Sequence, residues 1–215
     1  MSDNLSKLKI GIINTGACNL QSINYGIKIF TKNVEIISSK KNLSYFDALV
    51  VPGVGNFGQV IKNLNEINIK DSIIDYVEKD KPSLFICAGM QILFENSDED
   101  KSSKGLEILK GNVKKIPNNY KNNELKVPYI GWNIVNYKHD EPKKIFKGKI
   151  DNFFYFTHSF YVEPKDHKII HSEADYNGFK YCSSIKKKKL LATQFHPEKS
   201  GSTGLNLLKN FFTSC

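Results

Sequence analysis

Four short, mostly apolar runs separated by segments of helical spacing leave this chain few folds to choose from. The runs are KLKIGIIN (7–14), NVEIIS (33–38), DALVVPG (47–53) and PSLFIC (82–87). Strands apolar on both sides belong in a sheet that is covered on both faces. NLQSINYGIKIF (19–30), FGQVIKNLNEI (57–67), DSIIDYVEKD (71–80) and AGMQILFE (88–95) place apolar residues at helical intervals and supply the cover. The alternation predicts an α/β fold: an open, mostly parallel sheet flanked by helices.

Beyond Ser97 the pattern changes. ENSDEDKSSKG (95–105) reads as a polar loop. Short aromatic runs follow: NVKKIP (112–117), VPYIGWNIV (127–135), NFFYFTHSFYV (152–162), KIIHSEADY (168–176), FKYCSSI (179–185) and LLATQFH (190–196). Lysine-rich and glycine-containing turns separate them, which predicts antiparallel strand additions. The KKKK run at Lys186–Lys189 falls between two of these strands and reads as a solvated hairpin tip. SGSTGLNLLKNFFTSC (200–215) predicts a closing helix. No repeat or linker divides the chain, so residues 1–215 read as a single domain.

Composition narrows the function. The net charge is +9, and all 31 basic residues are lysine. Without arginine the chain lacks the planar fork that grips phosphate or guanine, so a nucleic-acid partner is not expected. No apolar run is long enough to span a bilayer, and the opening MSDNLSKLKIGII lacks the apolar centre of a signal peptide. Cys18, Cys87, Cys182 and Cys215 show neither CxxC nor metal spacing, so reduced thiols in a cytosolic protein are expected. No metal or cofactor is called for.

Three stretches carry possible chemistry. In SLFICAGMQILF a lone cysteine, Cys87, stands where a strand turns into a helix. Such an elbow lifts a nucleophile over the carboxyl edge of a sheet, beside backbone N–H groups that favour thiolate. In QFHPEKSG, His196 and Glu198 follow a strand, and a carboxylate can hold an imidazole in its productive tautomer. In VVPGVGNFG (50–58), Gly53 and Gly55 permit backbone conformations that aim N–H groups into a site, as an oxyanion requires. Each also has an ordinary explanation: a buried cysteine, a loop entering a helix, a strand-to-helix turn.

Together, and in this order, the three resemble the class I (triad) glutamine amidotransferases, a flavodoxin-like fold. Within them the chain is similar to the glutaminase subunits of imidazole glycerol phosphate synthase. TGACNLQSI, VPGVGNFG, CAGMQILFE, KGLEILKGNVKKI, VPYIGWN, FYFTHSFYV and QFHPEKSGSTGLNLLKNF carry the likeness nearly end to end. It implies that Cys87 attacks the carboxamide of glutamine, His196 moves the proton and Glu198 orients His196. The backbone at Ala88, with the peptide around Gly53 and Val54, would form the oxyanion hole. Gly55, Gln91, His158, Ser159 and Phe160 would line the glutamine pocket. Asn19, Trp132, Asn133, Tyr155 and Lys199 would face a (β/α)8-barrel cyclase, the heterodimer partner that uses the ammonia to make imidazole glycerol phosphate and AICAR in histidine biosynthesis. Phe85 stands where the family usually has glycine, and Ala88 where it has leucine. Two alternatives keep the fold: a paralogue supplying ammonia for acetamidino sugars, and a noncatalytic subunit.

Overall fold

The computed structural model describes residues 5–16, 20–53, 55–138 and 152–215. In chain order these form β1 (Ile10–Ile13), α1 (Leu20–Lys28), β2 (Val34–Ile37), β3 (Ala48–Gly53), α2 (Phe57–Glu66), α3 (Lys70–Glu78), β4 (Ser83–Cys87) and the short α4 (Ala88–Gln91). Then come β5 (Asn96–Ser97), β6 (Gly111–Lys115), β7 (Asn119–Tyr120), β8 (Asn123–Glu124), β9 (Tyr129–Tyr137), β10 (Phe153–His158) and β11 (Phe160–Pro164). The chain closes with β12 (Ile170–Tyr176), β13 (Phe179–Lys187), β14 (Leu190–Thr193) and α5 (Gly201–Thr213).

The main sheet runs β2-β1-β3-β4-β14 with all neighbours parallel, then continues antiparallel through β13, β12, β9 and β10. β11 branches from β13 and carries β6 and β5. The expected parallel core with antiparallel additions is therefore what forms. The KKKK run is a hairpin tip: Lys187 pairs with Leu190, and Lys188–Lys189 make the turn.

Both faces of the parallel core are covered because its strands are apolar at consecutive positions. Ile10, Ile12, Ala48, Val50, Leu84 and Ile86 pack on one face with Ile23 and Ile27 of α1 and Leu208, Phe211 and Phe212 of α5. Ile13, Leu49, Val51 and Phe85 pack on the other with Val60, Ile61 and Leu64 of α2 and Ile73 and Tyr76 of α3. A third cluster, containing Phe154, Phe156, Tyr181 and Phe195, sits under the antiparallel extension.

Phe85 thus poses no problem for the elbow. It is fully buried in the α2–α3 layer, whereas Cys87 joins the cluster on the opposite face.

Three expectations need correction. The helix expected over 88–95 is a single turn. Leu93 and Phe94 N–H groups reach back only three residues, to Met90 O and Gln91 O (3.3 and 3.1 Å). The carbonyls that would continue the helix are taken by the next loop: Ile92 O by Leu106 N (2.7 Å), Leu93 O by Leu109 N (2.9 Å) and Glu95 O by Gly105 N (3.1 Å). So short a helix adds little dipole at Cys87. The loop expected over 95–105 contributes β5, paired in parallel with β6. NFFYFTHSFYV is two strands, broken at Ser159: β10 pairs with β9, while β11 pairs with β6 and β13.

Candidate active site

Cys87 ends β4, flanked by β3 on one side and β14 on the other. Its backbone has φ 55° and ψ −113°, outside the regions an L-residue favours. Strain of this kind persists only where the surroundings enforce it. Here the turn is wedged against β3: a Cβ on Gly89 would lie 2.1 Å from Val51 O, and one on Gly53 would lie 2.8 Å from both Ala88 Cβ and Gly89 N. Gly53 does not have positive φ. It is required for close approach rather than for an unusual conformation, which corrects the expectation for that residue.

β14 delivers His196 and Glu198 to the same edge. His196 N–H donates to Tyr155 O (2.9 Å). Ser200 Oγ donates to His196 O (2.6 Å) and accepts from Tyr155 N–H (3.0 Å), clamping the turn to β10. The His196 Nδ1 and Glu198 Oε1 atoms are 2.8 Å apart, with both side chains almost wholly buried. Burial opposes charge on the imidazole, but Cys87 and Glu198 outweigh it and raise His196 to about 10. Among the described residues His196 Nε2 has no hydrogen-bond partner. The sulfur instead contacts Gln194 Nε2 at 3.6 Å and Thr157 O at 3.7 Å.

A cavity of about 290 Å³ opens on Cys87, lined also by Gly55, Asn56, Ala88, Gln91, Glu99, Pro128, Thr157, His158, Ser159 and Phe160. All five residues expected in a glutamine pocket are in this wall. The break at Ser159 turns Phe160 O inward, where it accepts from Gln91 Nε2 (3.0 Å) and His158 Nδ1 (2.8 Å). That bond places the His158 proton on Nδ1. Burial drives the ring down to about 4, opposed by its bond to Phe160 O and aided by His196. His158 is therefore neutral, and its buried Nε2 is a lone-pair acceptor with no partner among the described residues.

Sequence reasoning missed two residues. Glu99, from the polar loop, is the acidic side chain in the cavity wall and accepts from Phe57 N–H at the start of α2 (2.7 Å). Burial raises its pKa, opposed by that N–H and reinforced by Asp100. Nothing local in its sequence marks it. Gln194 is fully buried, two residues before His196 in the stretch already singled out.

The residues expected to face a partner divide. On β9 and β10, the cross-strand pairs Ile134–Phe153 and Trp132–Tyr155, with Ile130, present an apolar face. Ile130, Trp132, Ile134 and Phe153 are 45–59% exposed. The Trp132 and Phe153 rings stack with centroids 5.4 Å apart, and Lys199 Nζ sits 5.9 Å from the Tyr155 ring centroid. Asn133 is opposite buried Phe154, and its amide donates to Asp175 O (2.8 Å). Asn19 and Val54 lie outside the described residues.

A thiol on a strained elbow, a buried imidazole–carboxylate pair and a polar cavity with fixed donors and acceptors suit acyl transfer. The family model for glutamine amidotransferase class-I matches residues 9–215. The chain belongs to the class I glutamine amidotransferases. This amidotransferase is 44% identical over 203 residues to the imidazole glycerol phosphate synthase subunit HisH of Methanocaldococcus jannaschii, covering 94% of this chain and 97% of that one. It is 40% identical over 206 residues to subunit HisH 1 of Methanococcus maripaludis, covering 94% and 98%. The amidotransferase fold also matches the structure of PurLQS from Thermotoga maritima with a TM-score of 0.73 at 15% identity, over 97% of this chain and 99% of that chain.

Proposed function

We propose that residues 1–215 act as one glutaminase domain, the ammonia-producing subunit of an imidazole glycerol phosphate synthase. The observation that carries the mechanism is the cavity wall, which joins Cys87 to Gln91, His158, Ser159 and Phe160; the buried His196–Glu198 pair supports it. The subunit assignment is supported by HisH relatives aligned over nearly the whole chain.

In this reading the Cys87 thiolate attacks the carboxamide carbon of glutamine. The backbone N–H of Ala88 and the peptide at Gly53–Val54 hold the oxyanion. Collapse breaks the C–N bond as His196 gives its proton to the departing ammonia. His196 then takes a proton from water, which attacks the glutamyl thioester. The C–S bond breaks, glutamate leaves and the thiolate is restored. Glu198 keeps Nδ1 of His196 protonated and stabilises imidazolium. Glu99 offers the carboxylate that the α-ammonium of glutamine needs.

Ammonia released into cytosol would be protonated and lost, so the reading includes a (β/α)8-barrel cyclase as heterodimer partner. The exposed Ile130–Trp132–Ile134–Phe153 face supports its docking, because it adjoins Tyr155 and the turn that bears His196 and Lys199. The test is steady-state glutamine hydrolysis by the chain alone, with a barrel cyclase, and with the cyclase carrying its nucleotide ligand. Activity should rise by orders of magnitude across the series and vanish in Cys87→Ala. Undiminished hydrolysis by Cys87→Ala would refute the mechanism, and full activity without a partner would refute the coupling.

A further inference from the structure

We infer that Gln194 is a positioning residue that holds the Cys87 sulfur as a hydrogen-bond acceptor, through an amide relay whose direction is set by the Phe160 carbonyl. The inference rests on the reading of Cys87 as nucleophile and adds a group outside the triad.

The direction of the relay follows from one fixed acceptor. Phe160 O carries only lone pairs, so the end of the Gln91 amide facing it at 3.0 Å is the NH2 group. The same Nε2 lies 3.2 Å from Gln194 Oε1. Turning the Gln194 amide round would set two NH2 groups against each other in a buried site, where an unpaired donor is costly. Gln194 Oε1 is thereby committed to Gln91, and Nε2 is left facing Cys87 Sγ at 3.6 Å. The bond from Gln194 N–H to Ser183 O (2.8 Å) and complete burial hold the side chain's base in place.

His196, with Glu198 behind it, also interacts with Cys87 and is common to the wild type and the variant tested below; among the described residues the sulfur has one hydrogen-bond contact of opposite sense. Thr157 O, at 3.7 Å, accepts a thiol proton and stabilises the neutral form. When that proton leaves, the thiol–carbonyl bond is lost and the amide–sulfur bond becomes charge-assisted, roughly twice as strong as a neutral one. Gln194 therefore favours sulfur as an anion at both points of the cycle where it is one: before attack on the carboxamide, and when the C–S bond of the thioester breaks and its electron pair returns to sulfur. The relay also ties the nucleophile to the cavity wall, since Gln91 and Phe160 line the cavity.

The experiment measures carbamidomethylation of Cys87 by iodoacetamide against pH in the full chain, with peptide mass separating Cys87 from the other three cysteines. In Gln194→Met the midpoint of the profile should move up by about one pH unit, so that labelling falls up to about tenfold at pH values below the wild-type midpoint, with the alkaline plateau retained. A residue that only packs would change the plateau or overall stability and leave the midpoint in place. The wild-type chain provides a second measurement, independent of the variant's folding. The side-chain amide protons of Gln194 should shift downfield by NMR over the same pH range in which Cys87 becomes reactive. An unmoved midpoint in folded Gln194→Met, or amide resonances that stay fixed through that range, overturns the relay. Failure of glutamine to protect wild-type Cys87 from labelling would instead overturn the nucleophile reading, and the relay with it.

Discussion

Buried His158 should make the protein acid-sensitive, and the effect is large enough to measure in a single variant. The ring is 6% exposed, its Nδ1–H is committed to Phe160 O, and its burial holds it neutral down to about pH 4. In the unfolded chain a histidine takes up a proton near pH 6.5. Between these values the unfolded state binds a proton that the native state refuses, so stability falls as pH falls through the window. The loss is absent above about pH 6.5 and complete below about pH 4. Each tenfold difference in proton affinity between the two states is worth about 1.4 kcal/mol, so the whole loss amounts to about 3 kcal/mol. For a chain of this length that corresponds to roughly 6–12 °C in Tm. His196 does not confound the measurement. Its pKa is raised, so its contribution is fully present below about pH 6.5 and is lost only as pH rises toward 10. His158→Asn keeps an N–H for Phe160 O and removes the titration. Urea unfolding of both proteins at pH 7 and pH 4 cancels the common behaviour of the carboxylates. The wild type should lose about 3 kcal/mol more than the variant on acidification. Equal losses would refute the claim that a neutral, buried His158 governs this limb.

Three further outcomes follow from packing. Phe85→Gly should destabilise the protein by about 3–5 kcal/mol or more in urea unfolding, because it empties a fully buried site in the α2–α3 layer; unchanged stability would contradict that burial. Gly89→Ala should cost about 1–3 kcal/mol and most of the glutaminase rate, since the added methyl meets Val51 O at 2.1 Å; a fully active variant would show that the elbow relaxes freely. Trp132→Ala should weaken binding to the proposed barrel cyclase by about 2 kcal/mol or more while leaving the pH profile of Cys87 alkylation unchanged; titration calorimetry showing equal affinity would remove Trp132 from the proposed interface.

Much of this molecule is written in local pattern. Runs such as ALVV and SLFI are apolar at consecutive positions, which demands cover on both faces and so a helix-flanked sheet. The lone cysteine at a strand end, the three-residue HPE turn and the lysine hairpin are also short-range features, and all are found in place. What local pattern does not encode is the choice of partner. NFFYFTHSFYV has uniform strand character, yet it breaks at Ser159 because its two halves pair with different strands, and just past that break Phe160 O accepts from Gln91 and His158. The helix after Cys87 stops after one turn because distant N–H groups claim its carbonyls. Phe85 faces away from Cys87 because the elbow's backbone rotates the cysteine to the opposite side of the sheet. Glu99 and Gln194 reach the site across separations of 42 residues to Phe57 and 107 to Cys87. Periodicity reports which positions are apolar, but hydrogen bonds between remote segments decide which polar groups share a cavity.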